Sequence, residues 1–132
     1  MAHIMVVEDA RDNRTIAELI LQSAGHTVTS VGDGASAVKA AANSHPDAIL
    51  MDLSLPRLDG WEATRRLKAN PSTCDIPVIA FTAHTLPSDL ERALAAGCAT
   101  VIAKPFEIDF FLAQIDALLA QKLYEKSRAR EA

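Results

Sequence analysis

Ala48-Ile49-Leu50-Met51-Asp52 places four apolar residues in an unbroken run and ends it on a carboxylate. A strand with one wet face alternates apolar and polar residues. A run this uniform suits a short strand covered on both faces, as in a parallel sheet. The same pattern recurs on either side. Ile4-Met5-Val6-Val7 ends at Glu8-Asp9, Pro77-Val78-Ile79-Ala80-Phe81 ends at Thr82, and Thr100-Val101-Ile102-Ala103 ends at Lys104-Pro105. His26 to Val31 is β-rich and alternating, and completes a set of five strands.

Helical patterns fill the intervals. Ile16, Leu19, Ile20 and Ala24 recur at helical spacing, with Gly25 as the closing residue. Gly32-Asp33-Gly34 is a turn, and Ala35 to Asn43 reads as an alanine-rich helix ended by the region of Pro46. Asp59-Gly60-Trp61-Glu62 resembles a capping box that opens a helix to about Ala69. Ser88 and Glu91 predict another capped helix, closed at Gly97. From about Ile108 to Leu123, the residues Ile108, Phe111, Leu112, Ile115, Leu118 and Leu119 share one helix face. Five strands alternating with five helices predict an α/β fold, a parallel sheet with helices on both sides. In such folds ligands bind beyond the carboxyl ends of the strands. Glu8, Asp9, Asp52, Thr82 and Lys104 stand at those ends.

Composition narrows the function classes. A chain of 132 residues fits one domain, and 49% hydrophobic with 23% charged residues fits neither a disordered chain nor a membrane one. No apolar run approaches bilayer length, and the start at Met1 shows no basic leader, so a cytoplasmic protein is expected. The net charge of −4 argues against nucleic-acid binding. The only basic cluster, Lys122 to Arg130, is diluted by Glu125 and Glu131. Cys74 and Cys98 lack metal-site spacing and read as free thiols.

Three carboxylates gathered at one edge repel one another, and a bound divalent cation removes that conflict. Mg²⁺ prefers oxygen ligands and keeps several waters, which leaves room for a phosphoryl group. A carboxylate can serve as nucleophile and form an acyl phosphate. A lysine such as Lys104 then offsets charge on the phosphoryl oxygens, and the Thr82 hydroxyl can donate a hydrogen bond to one of them. Taken singly, each residue has an ordinary reading: an acid capping a helix, a threonine in a turn, a surface lysine. The information lies in the order acid pair, acid, Thr, Lys-Pro at successive strand ends.

From about Ala2 to Leu123 the chain resembles the CheY-like receiver domains of two-component response regulators. The matching pieces are Val6-Val7-Glu8-Asp9, Asn13, Asp33-Gly34, Leu50-Met51-Asp52, Leu55-Pro56, Asp59-Gly60, Phe81-Thr82-Ala83, Gly97 and Lys104-Pro105-Phe106. The resemblance implies a flavodoxin-like (βα)5 fold with strand order 2-1-3-4-5, spanning 1–123 and followed by a short charged tail, 124–132. It implies phosphorylation of Asp52 by a histidine kinase or histidine phosphotransfer protein. It also implies Mg²⁺ held by Asp9, Asp52 and the Ser54 carbonyl, with Glu8 acting through water. Thr82 and Lys104 are implied phosphoryl contacts, and the Lys104-Pro105 bond is commonly cis in the family. The implied output is docking to a protein target, by a monomer or weak dimer that is not itself an enzyme and touches neither nucleic acid nor membrane.

Two positions depart from the family pattern. Val101 stands where receivers carry the Tyr or Phe that rotates during switching, and Gly97-Cys98-Ala99-Thr100 lacks the usual Asp. Three other readings compete. A flavodoxin-like electron carrier needs a glycine- and hydroxyl-rich phosphate cradle where this chain has Glu8-Asp9-Ala10-Arg11-Asp12. A haloacid dehalogenase-type phosphatase typically needs a second Asp where Ser54 stands. The domain could also belong to a larger response regulator or hybrid kinase. Ser54 and His84, two places beyond Asp52 and Thr82, border the path of attacking water in receivers, and Phe110 falls beside the apolar stripe of the last helix.

Overall fold

The computed structural model describes residues 2–131, with side chains to 128. The strands are β1 (His3–Val7), β2 (Thr27–Val31), β3 (Ala48–Asp52), β4 (Val78–Thr82) and β5 (Thr100–Ala103). The helices are α1 (Arg11–Ser23), α2 (Gly34–Ser44), α3 (Gly60–Ala69), α4 (Pro87–Ala96) and α5 (Ile108–Glu131). All strand pairs are parallel and the sheet order is β2-β1-β3-β4-β5, as expected.

The uniform runs are explained by what covers them. Side chains alternate across a strand, so odd and even residues face opposite sides. Met5, Val7, Ile49 and Met51 join Ala37 and Ala41 of α2, Ala63 and Leu67 of α3, and Ala93 of α4. Ile4, Val6 and Leu50 join Ala17 and Leu21 of α1 with Phe111 and Ile115 of α5. Both parities are therefore apolar in β1 and β3. The edge strand β2 keeps its alternation because Thr27 and Thr29 face solvent.

Two helix ends differ from expectation. The cap of α4 is not Ser88 with Glu91. The helix begins at Pro87, which fixes φ for the first turn, and the Asp89 carboxylate accepts a hydrogen bond from Leu86 N at 3.3 Å. Helix α5 does not stop at Leu123. It continues to Glu131, because no Gly or Pro interrupts a run of good helix formers. Other ends match: Asp59 caps α3 by accepting from Glu62 N at 2.9 Å, and Gly97 closes α4 with φ of 114°.

Candidate functional site

The parallel register brings the polar strand ends together. Val7 pairs with Met51, Asp52 with Phe81, and Thr82 with Ala103, so Glu8, Asp52, Thr82 and Lys104 leave the sheet at one edge. Glu8, Asp52 and Thr82 are buried, whereas Asp9 and Ser54 are exposed. Carboxylate oxygens of Glu8, Asp9 and Asp52 lie within 4.8 Å of one another.

Each buried polar group is held in place. Glu8 accepts from Ala10 N at 3.1 Å and from Lys104 Nζ at 2.9 Å. The same amine lies 3.6 Å from Asp52 Oδ2 and 4.3 Å from the centre of the Phe81 ring. Asp52 Oδ1 accepts from Ser54 N at 3.0 Å. Thr82 Oγ1 accepts from His84 N at 2.9 Å, which leaves the hydroxyl proton free to be donated elsewhere. The Lys104-Pro105 bond is cis. Burial raises the Glu8 carboxyl above its ordinary range and the Asp52 charge adds to this, against the hydrogen bond from Lys104. Two buried acids share one amine here, so a cation with hard-oxygen preference would relieve the site. The cluster of Glu8, Asp9 and Asp52 could hold such a metal.

The residues expected at the strand ends are thus brought to one place. Two features were not read from the sequence. Gly60 packs so closely on the loop that a Cβ there would lie 2.3 Å from the Asp52 carbonyl oxygen, which is what the Asp59-Gly60 pair signals. Trp61 meets two side chains from other elements: the Arg92 guanidinium lies 4.1 Å from its ring centre, and the His84 ring lies tilted at 6.2 Å. No local pattern signals that contact, because α3, α4 and the loop after β4 meet only in the folded chain. Val101 packs against the same apolar cluster as Trp61.

The sequence profile of the response regulator receiver domain matches residues 4–116. This chain belongs to the response regulator receiver domain family. The polar-differentiation response regulator DivK of Brucella ovis is 35% identical over 116 residues, covering 88% of this receiver and 94% of that protein. The receiver domain of a sensor histidine kinase from Pseudomonas aeruginosa PAO1, described with a magnesium ion coordinated in its active site cleft, is 42% identical. It aligns with a TM-score of 0.79 over 91% of this receiver and 95% of that chain. The chemotaxis protein CheY4 of Vibrio cholerae aligns with a TM-score of 0.84 at 26% identity, over 89% and 98% of the two chains. The flavodoxin and dehalogenase readings are set aside by this membership. Receivers act in two-component signalling, and no helix among the described residues is long and apolar enough to cross a membrane.

Proposed function

We propose that Asp52 accepts a phosphoryl group from a histidine kinase or histidine phosphotransfer protein, and that the receiver, spanning 1–123 with 124–132 as a charged extension, then docks to a downstream protein. One observation carries this reading: the Asp52 carboxylate lies 3.6 Å from the Lys104 amine and within 4.8 Å of the carboxylates of Glu8 and Asp9. An Asp52 carboxylate oxygen attacks phosphorus, the bond to the donor's imidazole nitrogen breaks, and an acyl phosphate results. Asp9, Asp52 and the Ser54 carbonyl would hold Mg²⁺, with Glu8 acting through water. When bound, the ion offsets the negative charge that gathers on the phosphoryl oxygens. Lys104 turns from Glu8 toward the phosphoryl group, and the free hydroxyl proton of Thr82 bonds to one of its oxygens. Water later attacks phosphorus, the Asp52 O–P bond breaks, and inorganic phosphate leaves with the carboxylate restored, so the domain assists its own chemistry without acting on an outside substrate. The proposed setting is the cytoplasm, where such donors work, with the protein a monomer or weak dimer.

Intact-mass measurement tests the assignment. With Mg²⁺ and acetyl phosphate the protein should gain a single phosphoryl adduct, and Asp52→Asn should gain none. An undiminished adduct in the variant would place the acceptor elsewhere.

A further inference from the structure

Given the reading of Asp52 as acceptor, on which this rests, we propose that Trp61 carries the state of the phosphoryl site to helix α4, in place of the aromatic that Val101 lacks. Phe81, Phe106 and Phe111 belong to the apolar cluster under α1 and α5. In the cluster under α2, α3 and α4, Trp61 is the one aromatic among the described residues, and Val101 packs on that same cluster. A ring large enough to couple the site to α4 is therefore supplied by α3 rather than by β5.

The root of that ring is fixed at the acceptor. Gly60, the residue before it, donates its N–H to the Leu53 carbonyl at 3.2 Å and packs so closely that a Cβ would meet the Asp52 carbonyl. The ring itself meets two exposed side chains. The His84 ring lies 6.2 Å away, and the N–H of His84 is donated to Thr82 Oγ1 at 2.9 Å. The Arg92 guanidinium of α4 lies 4.1 Å from the ring centre, within range of a cation–π attraction. No ion pair among the described residues involves Arg92, so the indole face is where its charge rests. A Thr82 hydroxyl drawn toward a phosphoryl oxygen moves His84 with it, and His84 and Arg92 meet the same indole.

The indole is also free to respond. Trp61 is only 8% exposed, yet its Nε1 has no hydrogen-bond partner among the described residues. A buried unpaired N–H is costly, and no directional bond pins the ring where it lies. Packing and the Arg92 charge hold it. Removing that charge should uncouple α4 from the site without touching the carboxylates.

The test is backbone amide NMR of the full-length protein with Mg²⁺ and beryllofluoride, a stable stand-in for the phosphoryl group. In the wild type, amides of the Thr82 loop and of α4 should both shift. Arg92→Met keeps a long apolar side chain and removes its charge. It should retain the phosphoryl adduct and the loop shifts. Its α4 shifts should fall at least about twofold, since they report the population of the moved state. Arg92→Lys, which restores a cation, should recover most of the loss. Trp61→Leu should reproduce the loss, and Trp61→Phe, which keeps a ring, should not. A wild type that gains no adduct would sink the acceptor reading and this one with it. A normal adduct with α4 unshifted in the wild type, or shifted equally in Arg92→Met and Trp61→Leu, would overturn this proposal alone.

Discussion

Glu8 and Asp9 are neighbours with the same functional group and opposite surroundings. Glu8 is buried and tied to Lys104 and to Ala10 N, whereas Asp9 is exposed and within reach of Asp52. Asp9→Ala should therefore weaken Mg²⁺ binding far more than Glu8→Gln does, as measured by calorimetry or by Trp61 fluorescence. Equal losses would mean that both acids are direct ligands. His84 contributes its backbone to Thr82 and its exposed ring to Trp61, not to the carboxylates. His84→Ala should change the acyl-phosphate lifetime by no more than about tenfold, about 1.4 kcal/mol in the barrier. A larger change in a decay assay would give the ring a part in hydrolysis. The strand-end residues were legible because an apolar run that stops on a charge is visible in sequence. The pairing of Lys104 with Glu8, 96 residues apart, was not, since only the folded sheet brings them together.

The loop from β3 into α3 shows how an element holds the site. Asp59 stabilises the start of α3 through Glu62 N, so Asp59→Ala should cost about 1 kcal/mol in urea unfolding with an unchanged m-value. Gly60→Ala should cost more, about 1–3 kcal/mol, because a Cβ meets the carbonyl of Asp52 itself. The Gly60 variant should also be phosphorylated more slowly, and the Asp59 variant nearly normally. The reverse order in both assays would disconnect this loop from the acceptor. Element existence was readable throughout, from periodicity. Element ends were readable only where their chemistry is local. Asp59 and Gly97 announce themselves, but the start of α4 depends on Pro87 and Asp89, and Ser88 is a plausible decoy. Helix α5 ran past its expected end because charge alone does not stop a helix.

Across the molecule, the signal must travel without the usual aromatic at Val101. That residue packs on the cluster containing Trp61, and Trp61 is gripped by Arg92 of α4 and by His84 beside Thr82. Movement of Thr82 toward a phosphoryl group therefore has a route into α4. The proposed readout face is α4, β5 and α5, where Leu94 and Phe110 are each more than half exposed. Beryllofluoride with Mg²⁺, which mimics the acyl phosphate, should shift backbone amides in α4 and around Val101 as well as in the site loops. Shifts confined to the loops would exclude this face as the output. Helix α5 also alters the geometry of whatever is transmitted. Its buried anchors are Phe111 and Ile115, Leu118 and Leu119 pack on the same core, and Lys122 donates to the Asp47 carbonyl at 3.2 Å, so the helix is held as far as Lys122. Beyond Lys122 it runs roughly 14 Å further, at 1.5 Å per residue. It is a lever with a long clamped arm and a short outer one. A tilt of about 5° at the clamp carries the tip roughly 1 Å on that outer length. A partner gripping the outer turns would sense the state of a distant aspartate as a change of position rather than of charge.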